Sequence, residues 1–253
     1  MRQRDPRLLQ TICNPADGED SYYLWKTVNG KRVGGAPNIF SYMQGTDDRP
    51  YYGTSTTGYC IAKYYNPAEY VDLRFKGSVD SPIFRYAEIL LIRAEAGAEL
   101  GEDPELDKTI NLLRQRAGLT FMLSPNPPAE GEDPNMIEKY PVIKGPNAWL
   151  IREIRRERRV ELFGEGLRYM DILRWHAGDL LNRPKRGAKS NMYTAQELSY
   201  LTGKVPIKDG FIMPYDLRVD YKPNFTEKNY LFNIPLNEIS LNPNLLPQNP
   251  GWE

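Results

Sequence analysis

Residues 81–119 read SPIFRYAEILLIRAEAGAELGEDPELDKTINLLRQRAGL, and their pattern decides the fold. Ser81 is a good N-cap and Pro82 suits the first helical position. Tyr86, Leu90, Ala94 and Ala98 then recur every four residues, so a helix is expected to run until Gly101. A second start follows at once, with Asp103 as cap, Pro104 first, Leu106, Ile110 and Leu113 on one face, and Gly118 past the end. Two helices so closely joined make an αα-hairpin of roughly tetratricopeptide length, about 34 residues per unit. A single hairpin does not make an array, because arrays need about three units for stability. Partner hairpins would then lie upstream of Met1.

Outward from this hairpin, residues 120–146 are rich in proline, glycine and acidic positions, which predicts a surface excursion rather than helix. Asn147 caps a third helix whose body, WLIREIRRERRVELFGEG, sets Leu150, Ile154 and Leu162 on one side. Gly164 and Gly166 interrupt it, and a shorter helix is expected from Leu167 to about His176. Before Ser81 the chain has turn residues and little helical period, which predicts loops with short strands. After His176 it returns to loops, ending in NPNLLPQNPGW, a tail expected to be held by packing of Trp252. The fold class is therefore mainly α, helical hairpins with long irregular loops and a few short strands. It is organised as an aromatic-rich loop region (1–80), a helical core (81–176) and a loop-rich segment packed on that core (177–253), together one domain.

Composition narrows the function. The 253 residues carry 33 basic and 33 acidic side chains, a balance that argues against nucleic acid or an anionic membrane as general partner. Mean hydropathy is −0.60 and no apolar run approaches the ~20 residues of a spanning helix. The start, MRQRDPRLL, has no apolar signal-peptide core, so either the protein is cytoplasmic or the chain begins inside a longer one. Two cysteines, Cys13 and Cys60, and one histidine, His176, cannot build a four-ligand zinc site, although a disulfide stays open.

Catalytic signals are weak. Glu153, Glu157 and Glu161 could supply a glycosidase-like carboxylate pair. Glu153 and Glu161, however, each have an arginine three positions away, Arg156 and Arg158, so exposed local ion pairs of about 0.3–0.5 kcal/mol each explain the pattern better. Arg168 and Asp171 read as a partly buried pair joining two helices. No GxSxG, GxxxxGK[ST] or GxGxxG is present, so neither a nucleophile triad nor a nucleotide site is anchored. The acids Asp17, Glu19 and Asp20, or Asp47 and Asp48, have calcium-binding oxygens without EF-hand spacing. Calcium is therefore unsupported and no cofactor is expected.

The loops between Tyr22 and Tyr70 are different, because eleven aromatic residues crowd there among glycines and polar residues. Flat rings pack on the axial C–H face of a sugar while asparagine, aspartate and arginine bond its hydroxyls. Trp25, Tyr22, Tyr23, Tyr42, Tyr51 and Tyr52 are accordingly the candidate glycan-binding residues; Phe40 and Tyr59 share their setting. The competing reading is that these rings plug the inner side of long loops.

Four ordered words carry a resemblance. They are RYAEILLIRAEA at 85–96, INLLRQRAGL at 110–119, ERRVELFGEGLRYMDILRW at 157–175, and the closing YLFNIPLNEISLNPNLLPQNPGW; DPRL at 5–8 and TGYCIAKYY at 57–65 also fit. Together they resemble the C-terminal half of the SusD/RagB family of Bacteroidetes outer-membrane nutrient-binding lipoproteins. The resemblance implies a noncatalytic protein on a tetratricopeptide-like scaffold. Such a protein binds oligosaccharide or polysaccharide and partners a SusC-like TonB-dependent transporter at the cell surface. The family's signal peptide, lipid-bearing cysteine and helical N-terminal half have no counterpart here, and Cys13 is not that cysteine because no apolar segment precedes it. The membrane would be met only through an anchor outside this chain. The shared words are packing elements and transfer no binding residue. A peptide-binding RagB-like subunit and a tetratricopeptide-type interaction scaffold with contacts near Leu90 to Arg116 remain the alternatives, and a glycosidase is the weakest.

Overall fold

A computed structural model describes residues 5–13, 26–28, 31–33, 57, 59–61, 63–64, 80, 82–192, 195–199, 205–216 and 222–253. Helix α1 (Arg7–Thr11) leads into β1 (Ile12–Cys13), which pairs antiparallel with β4 (Cys60–Ile61) so that Cys13 stands opposite Cys60. Strands β2 (Lys26–Val28) and β3 (Lys31–Val33) form an antiparallel hairpin between them. Short strands were expected here; the α1 turn was not.

The first long helix starts later than its sequence signals. α2 is Tyr86–Leu100, its N-cap Arg85 extended at φ −148° and its C-cap Gly101 left-handed at φ 75°, while Pro82 to Arg85 lie outside it. The buried stripe is Ala87, Leu90, Leu91, Ala94 and Ala98, and Tyr86 is 71% exposed, so the first member of the predicted stripe faces solvent. The return strand of the hairpin passes close over this helix at Gly97, where a Cβ would stand 2.9 Å from Pro104 Cα. Asp103 does not take the expected cap position: its Oδ1 accepts from Glu105 N at 2.9 Å in a turn ahead of the helix, and the N-cap falls to Glu105 at φ 49°. The second helix is divided, however. A 3-10 turn (Leu106–Lys108) precedes α3 (Ile110–Arg116), and Thr109 breaks the run by donating its hydroxyl to the carbonyls of Pro104 and Glu105. This is the competition of a threonine side chain for backbone groups.

Residues 120–146 are not merely a surface excursion. Asn111 clamps Leu123 through two bonds, Nδ2 donating to Leu123 O at 3.1 Å and Oδ1 accepting from Leu123 N at 2.7 Å. The clamp draws Leu123 into the core. Helix α4 (Pro134–Lys139), N-capped by Asp133, buries Met136, and Tyr140 beyond it is buried as well.

Helix α5 (Ala148–Glu161) crosses α2, and Asn147 Nδ2 ties the two by donating to Ala98 O at 3.0 Å. The core is the apolar face of this crossing, with Leu91, Ile110 and Ile154 at 0% exposure and Trp149, Leu150, Ile151 and Leu162 around them. Gly164 and Gly166, at φ 80° and 81°, turn the chain back into α6 (Arg168–Arg174), a path a β-carbon would strain. Beyond it lie α7 (Asp179–Asn182), α8 (Ala195–Ser199), the hairpin β5 (Ile207–Lys208) with β6 (Phe211–Ile212), and α9 (Leu236–Leu241). The C-terminal segment thus has more regular structure than its proline and asparagine content suggests. Trp252 ties it down as expected, its indole N–H shared between the carbonyls of Lys228 (2.9 Å) and Leu231 (3.0 Å). No helix among the described residues is long and apolar enough to cross a membrane.

Candidate functional site

The glutamates of α5 pair differently from the sequence expectation. They are buried, and their partners come mostly from distant segments. Glu157 accepts from Arg7 (2.6 Å) and Arg114 (2.8 Å), and Glu161 from Arg7 (2.9 Å), Arg85 (2.7 Å) and Arg116 (2.5 Å). Glu165 meets Arg85 and Lys63. Only Glu153 with Arg156, at 3.1 Å, keeps a neighbour on its own helix. The reason is that α5 is covered on both faces, so i,i+4 partners would have to share an interior crowded by residues from α1, α2 and α3. Burial pushes the Glu161 carboxyl up, but the bonds from Arg116, Arg85 and Arg7 outweigh it and hold the group at about 2. Burial alone dominates at Glu153 and pushes its carboxyl up. Among the described residues, none of these carboxylates lines either of the two concavities set out below.

Past α5, the glycine turn brings α6 against it through a buried pair. Arg158 donates to Asp171 at 3.0 and 3.1 Å, and Arg174 braces Asp171 and Glu95 from the outer side. Asp171 therefore joins the two helices, as expected, but through Arg158; Arg168 instead donates to the Tyr140 hydroxyl at 3.2 Å and lies over the Trp175 ring.

This junction floors a cavity of about 920 Å³, walled by Tyr59, Tyr215 and the segment around Leu180 to Arg186. Its charge is one-sided. Among the described residues seven cationic side chains line it, against one carboxylate, Asp171, which is already engaged. Arg158 has Asp171, and Arg183 has Glu138 at 2.9 Å. Among the described residues Lys139, Arg159, Arg168, Lys185 and Arg186 have no carboxylate within ion-pair distance. The buried Arg158 also has one guanidinium nitrogen, Nη1, without a hydrogen-bond partner, as does Arg168. Desolvation, and then the neighbouring charge of Arg168, lowers the affinity of Arg159 for its proton. Desolvation followed by Arg159 does the same to Lys139 and Lys185. A net excess of positive charge in a concave wall focuses its field on whatever enters.

Leu181 and Lys185 are shared with a second, smaller concavity of about 400 Å³, so the two adjoin. Its walls are aromatic and amide: Tyr169, Phe225, Phe232 and Trp252 with Asn224 and Asn229. Phe225 and Tyr230 pack on Gly178, where a Cβ would lie 2.1 Å from the Phe225 ring, and the Tyr230 hydroxyl accepts from Gly178 N at 2.7 Å. Only glycine admits that approach. Asn182 fixes the same strand of chain, accepting from Phe225 N at 2.6 Å and donating to Phe225 O at 2.9 Å.

The six rings singled out in the sequence, Trp25, Tyr22, Tyr23, Tyr42, Tyr51 and Tyr52, lie outside the described residues. Tyr59 is described and lines the larger cavity. The aromatic groove around Trp252 lies outside the sequence-based candidates. Its signal, rings set among asparagine and proline in residues 223–252, is the same signal that was weighed only in the N-terminal loops. No group of three or more His, Cys, Asp or Glu among the described residues could hold a metal ion.

Crossed helical hairpins whose irregular segments wall open concavities define a mainly helical protein of tetratricopeptide-like build. The chain belongs to the SusD family, which it matches over residues 1–252. It is similar to two proteins of Formosa agariphila, SusD-like protein P2 (29% identity, covering 76% of this chain and 30% of the relative) and SusD-like protein P38 (29%, covering 48% and 22%). Among solved structures it is similar to a SusD-like carbohydrate binding protein from Bacteroides fragilis, with a TM-score of 0.61 and 29% identity over 97% of this chain and 42% of that one. The chain thus spans less than half the length of these relatives.

Proposed function

We propose that this chain belongs to a noncatalytic carbohydrate-binding subunit of an outer-membrane nutrient uptake system, acting with a SusC-like TonB-dependent transporter. The observation that carries the reading is the family match over nearly the whole chain, together with its likeness to a Bacteroides fragilis protein described as carbohydrate binding. The chemistry is compatible. Tyr169, Phe232 and Trp252 offer ring faces beside asparagine amides, the pairing a sugar needs for its C–H face and its hydroxyls. The carboxylates that hydrolysis would require are consumed in buried ion pairs.

Calorimetry of the purified chain against soluble plant, host and microbial polysaccharides tests the reading, with Trp25→Ala, Tyr51→Ala and Trp252→Ala alongside. The expected result is binding to one glycan, without turnover of labelled oligosaccharide, and weakening by about 1 kcal/mol or more for each stacking ring removed. Turnover that is lost in Glu157→Gln would overturn the noncatalytic reading, and exclusive binding of peptides would overturn the carbohydrate reading.

A further inference from the structure

The protein's charges sum to zero, yet among the described residues the cavity between α5, α6 and residues 180–186 gathers seven cations around one occupied carboxylate. Like charges held together raise the free energy of the fold, and among the described residues five of these cations have no acid partner to offset that cost. Arg158, with 4% of its surface exposed, lines this wall, and its buried Nη1 has no hydrogen-bond partner among the described residues. The deficit is one that an incoming anion repairs: guanidinium groups bond carboxylate or sulfate oxygens in charge-assisted, often bidentate fashion. At about 920 Å³ the cavity has room for a sugar-sized group. The adjoining groove, which shares Leu181 and Lys185 with it, supplies ring faces and amides where neighbouring sugar units would lie.

We infer that this cavity receives an acidic substituent of a carbohydrate, the carboxylate of a uronic acid or a sulfate ester, while the chain of sugars continues along the aromatic groove of Tyr169, Phe232 and Trp252. This rests on the carbohydrate reading above and adds the class of glycan. Arg159, Lys185 and Arg186 are the residues to change, because among the described residues none of them forms an ion pair that supports the fold. Lys185 donates to Leu181 O, and Arg186 lies over the Phe211 ring.

The test is calorimetry of the full 253-residue chain with a uronate oligosaccharide, a sulfated galactan oligosaccharide, the desulfated galactan and poly-glutamate, each at two salt concentrations. One of the two acidic glycans should bind at least about tenfold more tightly than the neutral galactan, with affinity falling as salt rises. Arg159→Gln and the double variant Lys185→Gln, Arg186→Gln should each lose fivefold or more on the acidic glycan while keeping the parent melting temperature. Which acidic glycan binds decides between carboxylate and sulfate. Equal affinity for acidic and neutral galactan, or binding untouched by these variants, would overturn the acidic class and leave the carbohydrate reading standing. Binding of poly-glutamate alone, lost in Arg159→Gln, would overturn the carbohydrate reading and the inference with it.

Discussion

Replacing Glu161 by glutamine isolates the charge network that holds the N-terminal segment, α2 and α3 on α5. Glu161 is 4% exposed and accepts from three guanidiniums that belong to Arg7, Arg85 and Arg116. Its carboxyl is held at about 2, against about 4.5 in an unfolded chain. Each tenfold change in proton affinity corresponds to about 1.4 kcal/mol, so the paired carboxylate contributes about 3 kcal/mol at neutral pH. Breaking a buried pair from one side costs about 3–5 kcal/mol. The lower end applies here, because Arg7 keeps Glu157 and Asp5, Arg85 keeps Glu165, and Arg116 is exposed enough to rehydrate. For a chain of this size, 3 kcal/mol corresponds to a fall in melting temperature of about 6–12 °C. Because the folded carboxyl is depressed, its stabilisation is fully present above about pH 4.5 and fades as the pH falls towards 2. Thermal unfolding of parent and Glu161→Gln, followed by circular dichroism between pH 7 and pH 3, should show two curves that converge on acidification. A variant that melts with the parent at pH 7, or a gap that stays constant with pH, would refute the assigned network.

Three further outcomes follow from packing and backbone geometry. Leu91→Ala removes a side chain at 0% exposure from the α2–α5 crossing and should cost about 2–5 kcal/mol in urea unfolding. A loss below about 1 kcal/mol would mean the crossing is looser than described. Gly97→Val should destabilise by about 1–3 kcal/mol, since its Cβ alone would meet Pro104 Cα at 2.9 Å; an unchanged denaturation midpoint would remove the close approach. Gly118→Val meets no neighbour but must hold φ 78°, so a loss of about 1 kcal/mol would be pure backbone strain. The comparison with Gly118→Asn, which tolerates that conformation better, checks it.

Local signals carried the helices well. The left-handed stop at Gly101, the turn at Gly164 and Gly166, and the short α6 were all legible, because stops and glycines act within a few residues of where they stand. The start of α2 was misplaced, since Pro82 permits a helix without requiring one, and Arg85 is extended where it reaches Glu161 and Glu165. The buried clamp of Asn111 on Leu123 was unreadable for a related reason: nothing in a proline-rich stretch announces which carbonyl an amide twelve residues away will find.

By itself the sequence determined the helical-hairpin class, the apolar stripes and the family, all of which rest on residues adjacent in the chain or one turn apart. Only the tertiary structure decided where the charges go. An arginine three or four positions from a glutamate looks like its partner in any sequence. Once α5 is buried on both faces, though, its carboxylates take Arg7, Arg85 and Arg114 from other elements, because an unpaired interior carboxylate is costly and a local rotamer cannot supply every bond. The same folding draws Lys139, Arg159, Arg168, Lys185 and Arg186 to one wall with no carboxylate within ion-pair distance among the described residues. A chain of balanced composition thereby acquires a cationic cavity that no count of its residues could reveal.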